Sequence, residues 1–187
     1  ALESALERGN AVVCSQSEQL TTIGSFGVSY VKPSKESEKK QTREASCSVS
    51  EIKTENEAES AKVCVASVHI SGYDSRGYQL AAEPENETAQ AKADRFKRLE
   101  GFKAGYEQGQ TETKFYCAEI EKQARERGAD VLVIVGDTNS CGITDDRVQT
   151  VGLKSRKSVF TELGFQEDDT ATEGTRFDPS NPKYTPR

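Results

Sequence analysis

The sequence predicts an α/β protein in which helices cross over between neighbouring parallel strands, and three observations carry that prediction. A continuous run of apolar, mostly β-branched residues covers 131–135 and stops abruptly at Gly136, Asp137, Thr138 and Asn139. Such a run has the form of a strand buried on both faces. Upstream, Val63, Val65, Ser67 and His69 alternate with Cys64, Ala66, Val68 and Ile70, the pattern of a strand buried on at least one face. Between the two, apolar residues recur at threes and fours, so strand, helices, strand reads as one crossover unit.

The bulk composition sets the limits. A chain of 187 residues fits one domain with a real core. With 34% hydrophobic and 30% charged residues, part of the length is expected to lie outside that core. The formal net charge of -6 argues against a surface built for tight, non-specific duplex binding, although a local basic groove stays open. Cys14, Cys47, Cys64, Cys117 and Cys141 form an odd, scattered set without a CxxC pair. Buried or free thiols in a reduced, intracellular compartment are expected rather than a disulfide framework. A single histidine and the absence of ligand-like spacing argue against zinc. No run reaches transmembrane length. The chain opens with Ala1 and contains no methionine, so it is expected to be a processed or excised piece.

Taken in order, residues 1–8 look like a helix end, with Leu2 and Leu6 four apart and Gly9 as its stop. Residues 10–14 read as a short buried strand, and residues 24–31 as a strand with one exposed face. Residues 32–60 change character to Lys, Glu, Ser and Thr, with only Val49 and Ile52 to bury. They read as a polar, charged insertion or long hairpin loop. The sharper alternative is a phosphate- or partner-binding arm built from Lys35, Lys39, Lys40 and Arg43. After the strand at 62–70, residues 71–77 have loop composition.

From 84 to about 108 the pattern is helical. Phe96, Leu99, Phe102 and Tyr106 share a stripe, and Lys92, Arg95 and Lys97 are assigned to water. Gly109 is expected to interrupt the helix. A second helix over 111–127 carries Tyr116, Ile120 and Ala124 on one side; Arg125 and Arg127 complement its dipole and Gly128 ends it. The loop at 140–146 is polar, residues 158–165 suit a short helix ending at a glycine, and residues 170–187 are loop-like.

The strand ends hold the chemistry. His69 closes one strand and Asp137 the other, and alternation along a strand would point Asp137 and Asn139 into one pocket. A carboxylate can orient an attacking water or help hold a hard cation, an amide can donate to a phosphoryl oxygen, and an imidazole can move a proton. Each residue also has an ordinary structural reading. A lone histidine at a strand end is commonly structural, and Asp-x-Asn commonly makes an Asx turn or a helix cap. Their joint placement on either side of a crossover points to a site.

The order of these segments resembles the endonuclease/exonuclease/phosphatase superfamily of metal-dependent phosphohydrolases. The segment GNAVVCS at 9–15 looks like that family's early glycine-asparagine-alanine strand, and VASVHI at 65–70 like its His-Leu strand. VIVGDTN at 133–139 looks like its Gly-Asp-x-Asn strand. Leu163, Gly164 and Phe165 with Asp168 or Asp169, then residues 175–182, look like its late loop. Threonine inside the Gly-Asp-x-Asn motif resembles the tyrosyl-DNA phosphodiesterase branch. The resemblance implies a two-sheet α/β sandwich of the deoxyribonuclease I-like kind. It implies that His69 stabilises the phosphate or assists proton transfer, that Asp137 positions the nucleophilic water, and that Asn139 contacts the scissile phosphate. Magnesium or manganese is the implied cofactor, with Asp137 and Asn139 near it, and the implied substrate is a phosphoester of a nucleic acid, phospholipid or inositol phosphate.

The chain departs from that pattern at both ends. The family's metal-binding glutamate would precede Ala1, and its final Ser-Asp-His motif would follow the late loop, whereas the chain holds one histidine. Residues 1–187 therefore read as a single partial domain, the middle of the family's fold, with a companion chain expected to supply missing strands. Two alternatives stay open. One is a non-catalytic binding or scaffold relative of the same fold. The other is a doubly wound nucleotide-binding domain, although neither G-x-x-x-x-G-K-[ST] nor G-x-G-x-x-G occurs.

Overall fold

The computed structural model describes residues 12, 19–32, 42–53, 59–73, 77–139 and 147–166. These residues build four strands: β1 (Leu20–Val31), β2 (Thr42–Lys53), β3 (Ser60–His69) and β4 (Val131–Asp137). Two α-helices accompany them, α1 (Ala89–Glu126) and α2 (Arg156–Glu162), with short 3-10 turns at Gly77–Ala81 and Val148–Val151. The sheet runs β1-β2-β3-β4. β1, β2 and β3 form an antiparallel meander, and β4 lies parallel to β3. The α/β class holds, as one mixed four-stranded sheet with two helices. An antiparallel meander across three of the four strands does not suit the doubly wound alternative, which needs a mostly parallel sheet.

β2 corrects the reading of residues 32–60 as a loop. Ala45, Cys47 and Val49 are buried on one face of β2, and Ser48 and Ser50 are buried on the other. On the first of these faces Ala45 and Cys47 are small because large side chains from α1 occupy the same core, where Tyr116, Ile120 and Ala124 pack with Ala45, Cys47, Val49, Cys64 and Ala66. Small residues look the same in sequence whether they are solvated or, as Ala45 and Cys47 are, packed tightly against a bulky helix face.

α1 is a single helix of 38 residues, about 57 Å long at 1.5 Å per residue. Thr88 caps it, its Oγ1 accepting from the Ala91 N–H at 3.2 Å. The expected break at Gly109 does not occur. A Cβ at this position would collide with the guanidinium of Arg156, so the glycine serves a close approach rather than a stop. The helix is longer than any strand and joins two cores. Its C-terminal half covers the sheet. Its N-terminal half holds Leu99, Phe102 and Tyr106 against Val148 and Leu153.

Two side chains on α1 differ from the periodic reading. Phe96 is exposed, at 47%. Arg95, assigned to water, is buried: it pairs with Glu87 at 2.9 Å and donates to the Leu80 carbonyl at 2.8 Å, tying down the segment that leads into the helix.

β4 differs as well. Val131, Val133 and Val135 are exposed, so the strand is covered on one face only among the described residues. Val63 and Val65 of β3 stand beside Val131 and Val133 in register, so the valines form one apolar patch on the outer face. The helix forecast near 158–165 is α2, followed by Gly164 at φ +85°. No helix among the described residues is long and apolar enough to cross a membrane. Residues 1–11 and 170–187, with their forecast elements, lie outside the described residues.

Burial of two acids in this core weakens the fold at alkaline pH. Cys117 and Tyr116, each 2% exposed, have pKa values pushed up to about 12, first by burial and then by the carboxylates of Glu121 and Glu112 respectively. The folded state favours their neutral forms, while the unfolded chain ionises them near 9.0 and 10.0. Stability from these two groups is therefore fully present below about pH 9 and drains away toward about pH 12. Urea midpoints should be lower at about pH 10.5 than at about pH 8; equal midpoints would contradict the burial of both groups.

Candidate functional site

The site begins with the register between β3 and β4. Parallel pairing runs from Val63↔Val131 to His69↔Asp137, so the last residues of the two strands lie side by side. Gly136 makes this possible. Its φ of +121° is outside the comfortable range of L side chains, and a Cβ there would collide with the carbonyl oxygen of Val68. One further backbone bond, from Ile70 N–H to the Asp137 carbonyl at 2.9 Å, carries the ladder past His69.

Beyond Asp137 the chain turns. Asn139 takes a left-handed backbone, φ +48°, and its N–H donates to Asp137 Oδ1 at 2.9 Å. This is the Asx turn that the Asp-x-Asn spacing also allowed. Because the strand ends at Asp137, Asn139 is placed by the turn rather than by strand alternation. Its Nδ2 donates to the Ile70 carbonyl at 2.8 Å, stitching the exit of β4 to the exit of β3.

The turn leaves Asp137 Oδ2 directed toward His69, whose Nε2 is 4.0 Å away. The two side chains are 54% and 65% exposed. An ion pair this exposed is screened and contributes little to stability, so the fold does not depend on it. The facing imidazole and carboxylate are available to a ligand. His69, far in sequence from Asp137 and Asn139, is brought to one rim with them.

Two buried charges brace that rim from beneath. Glu112 of α1 is fully buried; its Oε2 accepts from the Ser71 N–H at 3.0 Å, and its Oε1 is 3.9 Å from Arg43 Nε. Arg43 also donates to the His69 carbonyl at 3.1 Å. Arg156 of α2, likewise fully buried, donates through Nη1 to the carbonyls of Thr138 and Asn139 at 3.2 and 3.1 Å. An acid thus holds an N–H after β3, and a base holds two carbonyls after β4. Of the basic arm considered in residues 32–60, Arg43 stands at this end of the sheet; Lys35, Lys39 and Lys40 lie outside the described residues.

Glu112 and Arg156 were not singled out from the sequence. The signal was there: each sits within a buried helical stripe, Glu112 with Tyr116 and Ile120, Arg156 with Val159. A charge at a core-facing helical position is rare unless it is paired.

A hollow of about 610 Å³ does not lie between His69 and Asp137. It follows the free edge of β4, with Leu132, Ile134, Phe160 and Phe165 along it, and reaches the loop at Thr138. No group of three or more His, Cys, Asp or Glu among the described residues is placed to hold a metal ion. The early Gly-Asn-Ala segment, except Val12, and the late loop from 167 lie outside the described residues. Comparison of the chain with known protein families, curated proteins and solved structures finds no significant match.

The turn generates its own test. Asn139→Gly keeps the left-handed backbone but orphans the Ile70 carbonyl, and should cost about 1–3 kcal/mol. Asn139→Ala adds backbone strain of about 1 kcal/mol or more and should unfold at lower denaturant than Asn139→Gly. Equal midpoints for the two variants would show that no left-handed residue is needed there.

Proposed function

We propose that this chain carries the central catalytic strands of a metal-dependent phosphohydrolase, one that cleaves a phosphodiester or phosphomonoester with an activated water. The observation that supports it most is the pairing of His69 with Asp137 across adjacent parallel strand ends, at an exposed rim, with Asn139 locked beside them.

In this reading Asp137 Oδ2 orients the attacking water, since Oδ1 is occupied by the Asn139 N–H. His69 donates to a phosphoryl oxygen or passes a proton as the bond to the leaving group breaks. Asn139 has one amide hydrogen committed to Ile70, and the other can reach the phosphate. Arg43, anchored at the His69 carbonyl, adds positive charge at the same end.

The donors fit a magnesium or manganese ion in part. One exposed carboxylate oxygen, from Asp137, and one amide oxygen, from Asn139, form one side of a hard-cation shell, and magnesium is commonly held by one or two carboxylates plus substrate phosphate and water. Bound there, the ion would act as a Lewis acid on the phosphoryl oxygen. The resemblance assigns the principal glutamate ligand to a segment before Ala1.

The same reading supplies a cover for the exposed face of Val63, Val65, Val131, Val133 and Val135. A second sheet, contributed by further segments or by a companion chain, would complete the two-layer sandwich and bury that patch. Phosphoesters of nucleic acids, phospholipids or inositol phosphates are the substrate classes to try. A non-catalytic scaffold of the same fold is the second reading, and the observation in its favour is that, among the described residues, Asp137 is the single carboxylate facing His69 at the rim.

A panel of these phosphoesters, assayed with magnesium on the full-length protein, separates the two. Magnesium-dependent turnover is expected. Asp137→Asn should lower it by about 10²–10⁴, while the unfolding midpoint shifts by no more than about 0.5 kcal/mol, because the Oδ1 acceptor and the surface position are kept. Turnover that survives the substitution would reject the phosphohydrolase reading, and absence of turnover on every substrate would favour the scaffold.

A further inference from the structure

We propose that Arg156 is a positioning residue for the rim: it sets the orientation of Asn139 and, through the Asx turn, the direction of the Asp137 carboxylate. The inference rests on the phosphohydrolase reading for its effect on rate, but its structural part stands without it.

A fully buried guanidinium is costly unless its surroundings are built for it, and an apolar side chain of similar size would serve stability as well or better. The surroundings are built for it. Its face lies over two aromatic rings, 4.5 Å from the centroid of Tyr73 and 5.0 Å from that of Tyr106. Tyr106 Oη accepts from the Arg156 backbone N–H at 3.0 Å, fixing where the side chain starts. On the helix side, Gly109 in the middle of α1 leaves the space that any larger residue would take from the guanidinium. A glycine there weakens the helix relative to alanine, so room for Arg156 is obtained against local preference.

What the guanidinium holds is the loop that carries the site. Nη1 reaches the carbonyls of Thr138 and Asn139, the two residues that follow Asp137. With those carbonyls turned inward, Asn139 keeps its left-handed backbone, and its N–H is aimed at Asp137 Oδ1 while its Nδ2 is aimed at the Ile70 carbonyl. Oδ2 is then the oxygen that faces His69. A lysine could keep the charge, but not the planar guanidinium that reaches two carbonyls through Nη1 while lying against both rings.

The test uses the full-length protein with Arg156→Lys, Arg156→Ala and Gly109→Ala, the last of which keeps the arginine but displaces it. Nitrogen-edited NMR follows the Asn139 side-chain amide. In folded Arg156→Lys and Gly109→Ala, its hydrogen-bonded shift and its protection from exchange should be lost. A folded variant in which Asn139 resonates as in the parent overturns the proposal, whatever the activity. For the phosphoester found to be turned over, kcat should fall by about 10²-fold with KM little changed, and guanidinium ion added to Arg156→Ala should restore part of it. A rise in KM alone would overturn the positioning role. If the parent turns over no phosphoester, the functional reading fails and the NMR result still decides the structural claim.

Discussion

The pairing of β3 with β4 in the same direction is the constraint on which the rest of the structure depends. Two parallel neighbours cannot be joined by a tight turn, so the chain must leave His69, travel back along the sheet and re-enter at Val131. α1 makes that journey and becomes both the lid of the sheet core and the wall of a second core. The same pairing sets histidine and aspartate next to each other. A slip of one residue in this register would exchange the faces of every side chain on β4 and remove Asp137 from its partner. Gly136 resists such a slip, because its neighbourhood tolerates no side chain.

Two kinds of burial follow from a long helix lying on a sheet. Where α1 crosses β2 and β3, bulk on the helix is matched by small residues on the strands, so tyrosine and isoleucine meet alanine and cysteine. Where α1 passes the strand exits, backbone groups leave the ladder without their regular partners. Buried polar groups must be satisfied, and Glu112 and Arg156 satisfy one N–H and two carbonyls there. The rim is thus exposed on its working side and held by charges on its buried side.

How much of this could be read from the sequence varied with the kind of signal. β3 and β4 were legible because alternation and a β-branched run leave few other conformations. The turn after β4 was legible because Asp-x-Asn commonly makes an Asx turn, and the Asn139 N–H and Asp137 Oδ1 form one. β2 was not, since smallness required by a neighbour looks the same as smallness tolerated by water. α1 was divided at Gly109 because a glycine's local preference is visible in sequence, whereas the guanidinium that demands it comes from forty-seven positions downstream (Arg156). Likewise, the apolarity of β4 was plain, but a hydrophobic run does not say which of its faces another layer covers.

One consequence attaches to the outer flank of β4. Its valines face solvent and its outer edge pairs with no strand among the described residues, and the strand carries no charge before Asp137 and no proline to deter a visitor. Any extended apolar segment, another molecule's β4 included, meets a ready template along it. Pairing along that edge takes two molecules, so it would grow with concentration.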